Sequence, residues 1–117
     1  MNTIGNLIGP FYQNVLIICS KRHISLNLDI ENPALKVFNE TKLKDFLKNE
    51  LARAIKSCSK GDQITISEKS VAGSNLSRVS VKNSGKSLPD TVKAELQDKG
   101  YEVRNRFGYD TIISMTL

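Results

Sequence analysis

The sequence is short of the residues that most site chemistry requires. It has no tryptophan, a single histidine (His23) and two cysteines (Cys19 and Cys58) in 117 residues. Two cysteines outside a C-x-x-C spacing and one histidine cannot build a zinc ligand set or a disulfide framework, so we expect no metal and two reduced, buried, inert thiols. Long apolar runs are missing too. The longest, Val15 to Cys19, is far below a membrane span and follows no basic stretch of the kind a signal peptide carries, which argues against a membrane and makes cytoplasm the expected compartment. With three prolines and seven glycines the chain is neither collagen-like nor of low complexity.

What remains is the composition of one soluble domain, 39% hydrophobic and 25% charged, large enough for a core but too short for two domains. Seventeen Lys and Arg against twelve Asp and Glu give a net charge of +5, which suits an anionic partner. The cations are scattered rather than gathered in a run. That pattern reads as a solvated surface and disfavours a dedicated nucleic-acid module.

Ile4, Leu7, Ile8, Phe11, Val15, Ile18 and Cys19 recur at helical spacing, which predicts an amphipathic helix over residues 3–21 that Pro10 kinks or restarts. Ile24, Leu26, Leu28 and Ile30 alternate with polar residues, the period of a strand with one buried face. Residues 34–38 read as a short extended segment, and Asn39 as the N-cap of the next helix. Along residues 40–58, Leu43, Phe46, Leu47, Leu51, Ala54, Ile55 and Cys58 mark one apolar face. Two strands, 63–69 and 78–83, follow and pair as a hairpin. Pro89 and Asp90 open a short helix that Gly100 closes, and residues 101–106 and 111–117 form a last hairpin around Phe107-Gly108-Tyr109-Asp110. The order predicts an α+β sandwich, with helices on one face of a mixed, mainly antiparallel sheet.

Several of these segments together resemble the ATP-binding domain of sensor histidine kinases. Asn39 to Lys56 is similar, without a gap, to that family's D-x-x-R-L-x-Q-V-L-x-N-L-L-x-N-A-I-K helix. Gly61 to Ser67 resembles the G-x-x-I-x-I strand that follows it. Val79-Ser-Val-Lys-Asn-Ser-Gly-Lys-Ser-Leu-Pro89 resembles the first glycine box, V-x-V-x-D-x-G-x-G-I-P, and Gly108 to Leu117 resembles the closing G-x-G-T-x-F-x-L-x-L strand. The likeness runs in order from about Ile24 to the last residue.

The resemblance implies a two-layer α/β sandwich of the GHKL (Bergerat) type with nucleotide between the long helix and the sheet. It implies two units, an N-terminal helix over 1–22 that ends a dimerisation helix and supports a homodimer, and one domain over 23–117. The nucleotide-binding positions it carries over are Asn49, Arg53, Lys56, Asn83, Gly85 and Ser87, and several depart from the pattern. Arg53 stands where the family has the Asn whose oxygen binds Mg²⁺, and a guanidinium has no acceptor to offer a metal. Asn83 replaces the Asp that reads adenine, and Ser87 the second Gly of the box. The family's mobile lid and second glycine box have no counterpart, since only the short helix lies between Pro89 and the last hairpin. His23, in Lys21-Arg-His-Ile-Ser25, lacks the context of a phosphoacceptor.

These departures predict a degenerate, pseudokinase-like domain of two-component or phosphorelay signalling, without catalytic residues, bound metal or cofactor, that docks a response regulator or a kinase or phosphotransferase protein. Asn49, Arg53, Lys56, Asn83 and Lys86 would meet an acidic partner, although each taken singly reads as solvated surface. The alternative is a nucleotide-binding catalytic domain that holds ATP or ADP, with or without Mg²⁺, in an altered pocket where Arg53 replaces the metal's charge.

Overall fold

The computed structural model describes residues 2–106 and 110–117. Its elements are α1 (Ile4–Lys21), β1 (Ser25–Ile30), α2 (Glu40–Ser57), β2 (Gln63–Ser70), β3 (Ser77–Asn83), α3 (Asp90–Asp98), β4 (Glu102–Arg106) and β5 (Asp110–Thr116). The five strands form one mixed sheet in the order β1-β2-β3-β5-β4. β1 and β2 are parallel, joined through α2, and every other pair is antiparallel. A parallel pair needs a crossover, and α2 supplies it.

The register explains how the sheet acquires one apolar face. Ile64, Ile66 and Glu68 of β2 stand opposite Asn83, Val81 and Val79 of β3. Val81 and Val79 stand in turn opposite Ile113 and Met115 of β5. All of these are buried, and the apolar ones form one cluster with Leu43, Phe46, Leu47, Leu51 and Ala54 of α2 and Leu96 of α3. The opposite face is polar: Ser80 and Ser114 share a hydroxyl hydrogen bond of 2.7 Å, and Lys69–Asp29 and Arg78–Glu102 form ion pairs at 3.0 and 3.3 Å.

α1 belongs to the same core. Ile4, Leu7, Ile8, Val15 and Cys19 are buried in that cluster, and the helix runs unbroken through Pro10. It starts at Thr3, whose hydroxyl accepts from the Asn6 N–H at 3.2 Å. At its far end exposed His23 adopts φ 56°, and its carbonyl accepts from the Gly61 N–H at 2.9 Å. The lone histidine is thus a turn residue between α1 and β1.

Where the alternation is weak, the sequence reading overextends. Residues 34–38 make no strand: they contribute one antiparallel bridge, Thr3 with Lys36, and leave Phe38 88% exposed. α3 stops at Asp98, and Gly100 follows at φ 86° as a helix end favours. The expected turn at Phe107-Gly108-Tyr109 lies outside the described residues, while the strands on either side of it pair as anticipated. No helix among the described residues is long and apolar enough to cross a membrane.

Candidate functional site

α2 carries the site. Asn39 caps it, its side chain accepting from the Lys42 N–H at 3.1 Å, and no Gly or Pro interrupts the eighteen residues that follow. Its core stripe is Leu43, Phe46, Leu47, Glu50, Leu51 and Ala54, so one member is a carboxylate. The neighbouring face exposes Asn49 and Lys56. One turn apart on a helix, Asn49, Arg53 and Lys56 come to one side.

They line a concavity of about 400 Å³ together with Ala52 and Lys99. Lys99, the C-cap of α3, is the charged member that sequence reasoning did not single out. Its position depends on how α3 lies beside α2, which no local pattern reports. The lining holds three cations, one carboxamide and one methyl group, and no acid. Such a surface attracts anions and offers a metal only the Asn49 carbonyl. Among the described residues no three His, Cys, Asp or Glu gather as metal ligands.

Behind this concavity lies a charge pair. Glu50 is 1% exposed, and its Oε1 accepts from Arg53 Nε at 3.0 Å. Its Oε2 is buried with no hydrogen-bond partner among the described residues. A buried carboxylate is tolerated only when paired, so Glu50 fixes the Arg53 side chain through Nε. The two Nη groups have no protein acceptor among the described residues and face any anion that approaches. Tyr101 packs edge-on against Phe46, ring centroids 5.1 Å apart, and burial first, then the charges of Glu50 and Asp45, raise its phenol above the ordinary range.

The other three residues singled out, Asn83, Gly85 and Ser87, sit past the last turn of α2 and outside the lining. Asn83 is buried at the end of β3, and its Oδ1 accepts from the Gly85 N–H at 2.9 Å. The loop then runs against the helix end: the Lys86 N–H donates to the Ser57 carbonyl at 3.0 Å. A Cβ on Gly85 would stand 2.2 Å from that same carbonyl oxygen, so only glycine fits there. Ser84 ties the loop to the preceding turn, its hydroxyl accepting from the Gln63 N–H at 2.8 Å and donating to Asp62 at 3.1 Å. Ser87 and Lys86 are exposed.

Both cysteines are free and buried. Burial pushes the Cys19 thiol up and the Cys58 thiol to about 11, with the Asp62 charge adding to the latter. Neither is a thiolate at neutral pH, and neither lines the concavity.

No protein-family model and no curated protein matches the sequence. Solved structures do match the fold. The catalytic domain of the histidine kinase ThkA, in a nucleotide-free crystal form, aligns with a TM-score of 0.76 at 23% identity, covering 97% of this chain and 91% of that one. The Acinetobacter baumannii histidine kinase AdeS aligns at 0.75 and 11% identity, over 99% of this chain and 64% of its own. ThkA in its complex with the response regulator TrrA aligns at 0.73 and 22% identity, over 99% and 40%. The chain therefore has the fold of histidine kinase catalytic domains, as the resemblance of its motifs implied, and the alignment over 97% of the chain extends into α1, which that resemblance did not cover.

Proposed function

We propose that this chain is a histidine-kinase-type domain of two-component signalling that docks an acidic protein surface, a response regulator in the first instance, and does not turn over ATP. One observation carries the reading. The concavity on α2 is lined by Arg53, Lys56, Lys99 and Asn49, with Ala52 its sole apolar side chain. A purine needs apolar walls, and a Mg²⁺–triphosphate needs oxygen ligands and backbone amides. A carboxylate-rich protein surface needs what is there, which is clustered and mostly exposed cations. The resemblance adds that Arg53 occupies the position of a metal-binding Asn, and that a second glycine box has no counterpart between Pro89 and β4. Support for the class of partner comes from ThkA, whose fold this chain shares and which has been solved with a response regulator.

A second reading has its own support. Three cations around about 400 Å³ would also suit the phosphates of a metal-free nucleotide, with Arg53 supplying the charge.

The test of docking is a titration of the domain against purified receiver domains, followed by fluorescence anisotropy at low and raised salt. Docking through this face predicts binding that weakens with salt and falls about tenfold or more in Lys56→Glu/Lys99→Glu, both exposed positions. Affinity indifferent to both changes would place any partner elsewhere.

A further inference from the structure

β1 is an edge strand whose outer side is unpaired. Its parallel register with β2 turns the odd-numbered residues inward. The Ser25 N–H donates to the Asp62 carbonyl at 3.0 Å and the Glu31 N–H to that of Glu68 at 3.1 Å, with unbroken register between. The N–H and C=O groups of Leu26, Leu28 and Ile30 therefore point away from the sheet, and no other described backbone group meets them.

Exposed edges are usually guarded by Pro, Lys or a bulge. Ser-Leu-Asn-Leu-Asp-Ile has none of these, and its one charge, Asp29, is paired with Lys69 at 3.0 Å. Leu28 is 43% exposed. Most of the apolar stripe of α1 lies inside the domain, with Ile18 and the adjacent Ile17 exposed near its end, whereas the whole outer edge of β1 is open to a partner.

We propose that a second copy of this chain pairs antiparallel along β1, about a twofold axis at Leu28, joining two five-stranded sheets into one. The sequence of β1 is self-complementary in that register. Leu28 faces Leu28 and Leu26 faces Ile30, and these are the residues whose backbone groups point outward, so each pair exchanges two hydrogen bonds. On the other face Asn27 meets Asp29 twice, each a carboxamide donor opposite a carboxylate. Sliding the copies one step in one direction sets Asp29 against Asp29, which is repulsive, and in the other sets Asn27 against Asn27 and shortens the overlap. Odd registers place outward groups opposite inward ones and lose the bonds. An isologous pairing of this kind closes on itself and leaves no new edge between the two copies.

The proposal is independent of the docking function and is tested on the whole chain. Sedimentation velocity across the micromolar to high-micromolar range should show a monomer–dimer equilibrium. Asn27 is exposed, so its variants leave the fold intact, checked by circular dichroism. Asn27→Asp sets like charges opposite each other twice and should weaken the dimer about tenfold, whereas Asn27→Lys should strengthen it by a similar factor. Leu28→Cys should form a disulfide-linked dimer under mild oxidation much faster than Ser74→Cys, an exposed position in the β2–β3 turn. The native thiols are buried and do not compete. A monomer at every concentration with no faster linkage at position 28, or a dimer indifferent to both Asn27 variants, overturns the proposal.

Discussion

Glu50 and Arg53 decide what the α2 surface can do. A carboxylate that is 1% exposed, with one oxygen bound by Arg53 at 3.0 Å and the other without a partner, is a cost the helix carries at its centre. Removing Arg53 leaves that charge buried alone. Arg53→Ala should therefore destabilise the domain by about 2 kcal/mol, less than a fully buried pair would lose because the Arg53 side chain is 30% exposed. Glu50→Leu alone should stay within about 1 kcal/mol of the starting protein, and Glu50→Leu/Arg53→Ala should recover most of the loss. Urea midpoints of the four proteins provide the cycle, and equal losses in Arg53→Ala and the double variant would mean that the pair is not coupled. Glu50 was legible in principle. It lies seven residues after Leu43 and four before Ala54, in the middle of the apolar stripe, yet its charge reads as solvated surface. Glu68 has the same signal on β2, third in the alternation Ile64, Ile66, Glu68, and its Oε1 accepts from the Asn32 N–H at 2.7 Å to hold the turn after β1.

Among the elements, α2 and the loop after β3 define the site by how closely they approach. Gly85 has a reason to be glycine that involves no ligand: the carbonyl of Ser57 occupies the space of its Cβ. Gly85→Ala must push the loop from the helix end and strain the Lys86–Ser57 and Asn83–Gly85 hydrogen bonds. The expected loss is about 1–3 kcal/mol by thermal or chemical melting. A variant as stable as the original would mean that the loop is free to move. The elements were mostly readable because their periods are clean, two in β1, β2 and β3 and 3.6 in α2. The segment 34–38 was not, since it makes one bridge, Lys36 with Thr3, and no strand; Val37 is buried and Phe38 is not. The site was read in part for the same reason. Asn49, Arg53 and Lys56 share one helix and follow from spacing, whereas Lys99 joins them only through the placement of α3.

At the scale of the whole molecule, the chain has a sheet, a core and a helical layer that match histidine kinase catalytic domains over 97% of its length, while the face of α2 carries a concavity lined by three cations. The net charge of +5 is spread over the surface, but three of its cations converge there. On the function proposed above, this face attracts anionic protein surface and takes no nucleotide. The most direct measurement is calorimetric titration of the domain with ADP and a non-hydrolysable ATP analogue, each with and without Mg²⁺. The expected result is no saturable heat and no thermal shift at millimolar nucleotide. Saturable binding in the micromolar range, lost in Lys56→Glu/Lys99→Glu, would contradict it and make this face a nucleotide site.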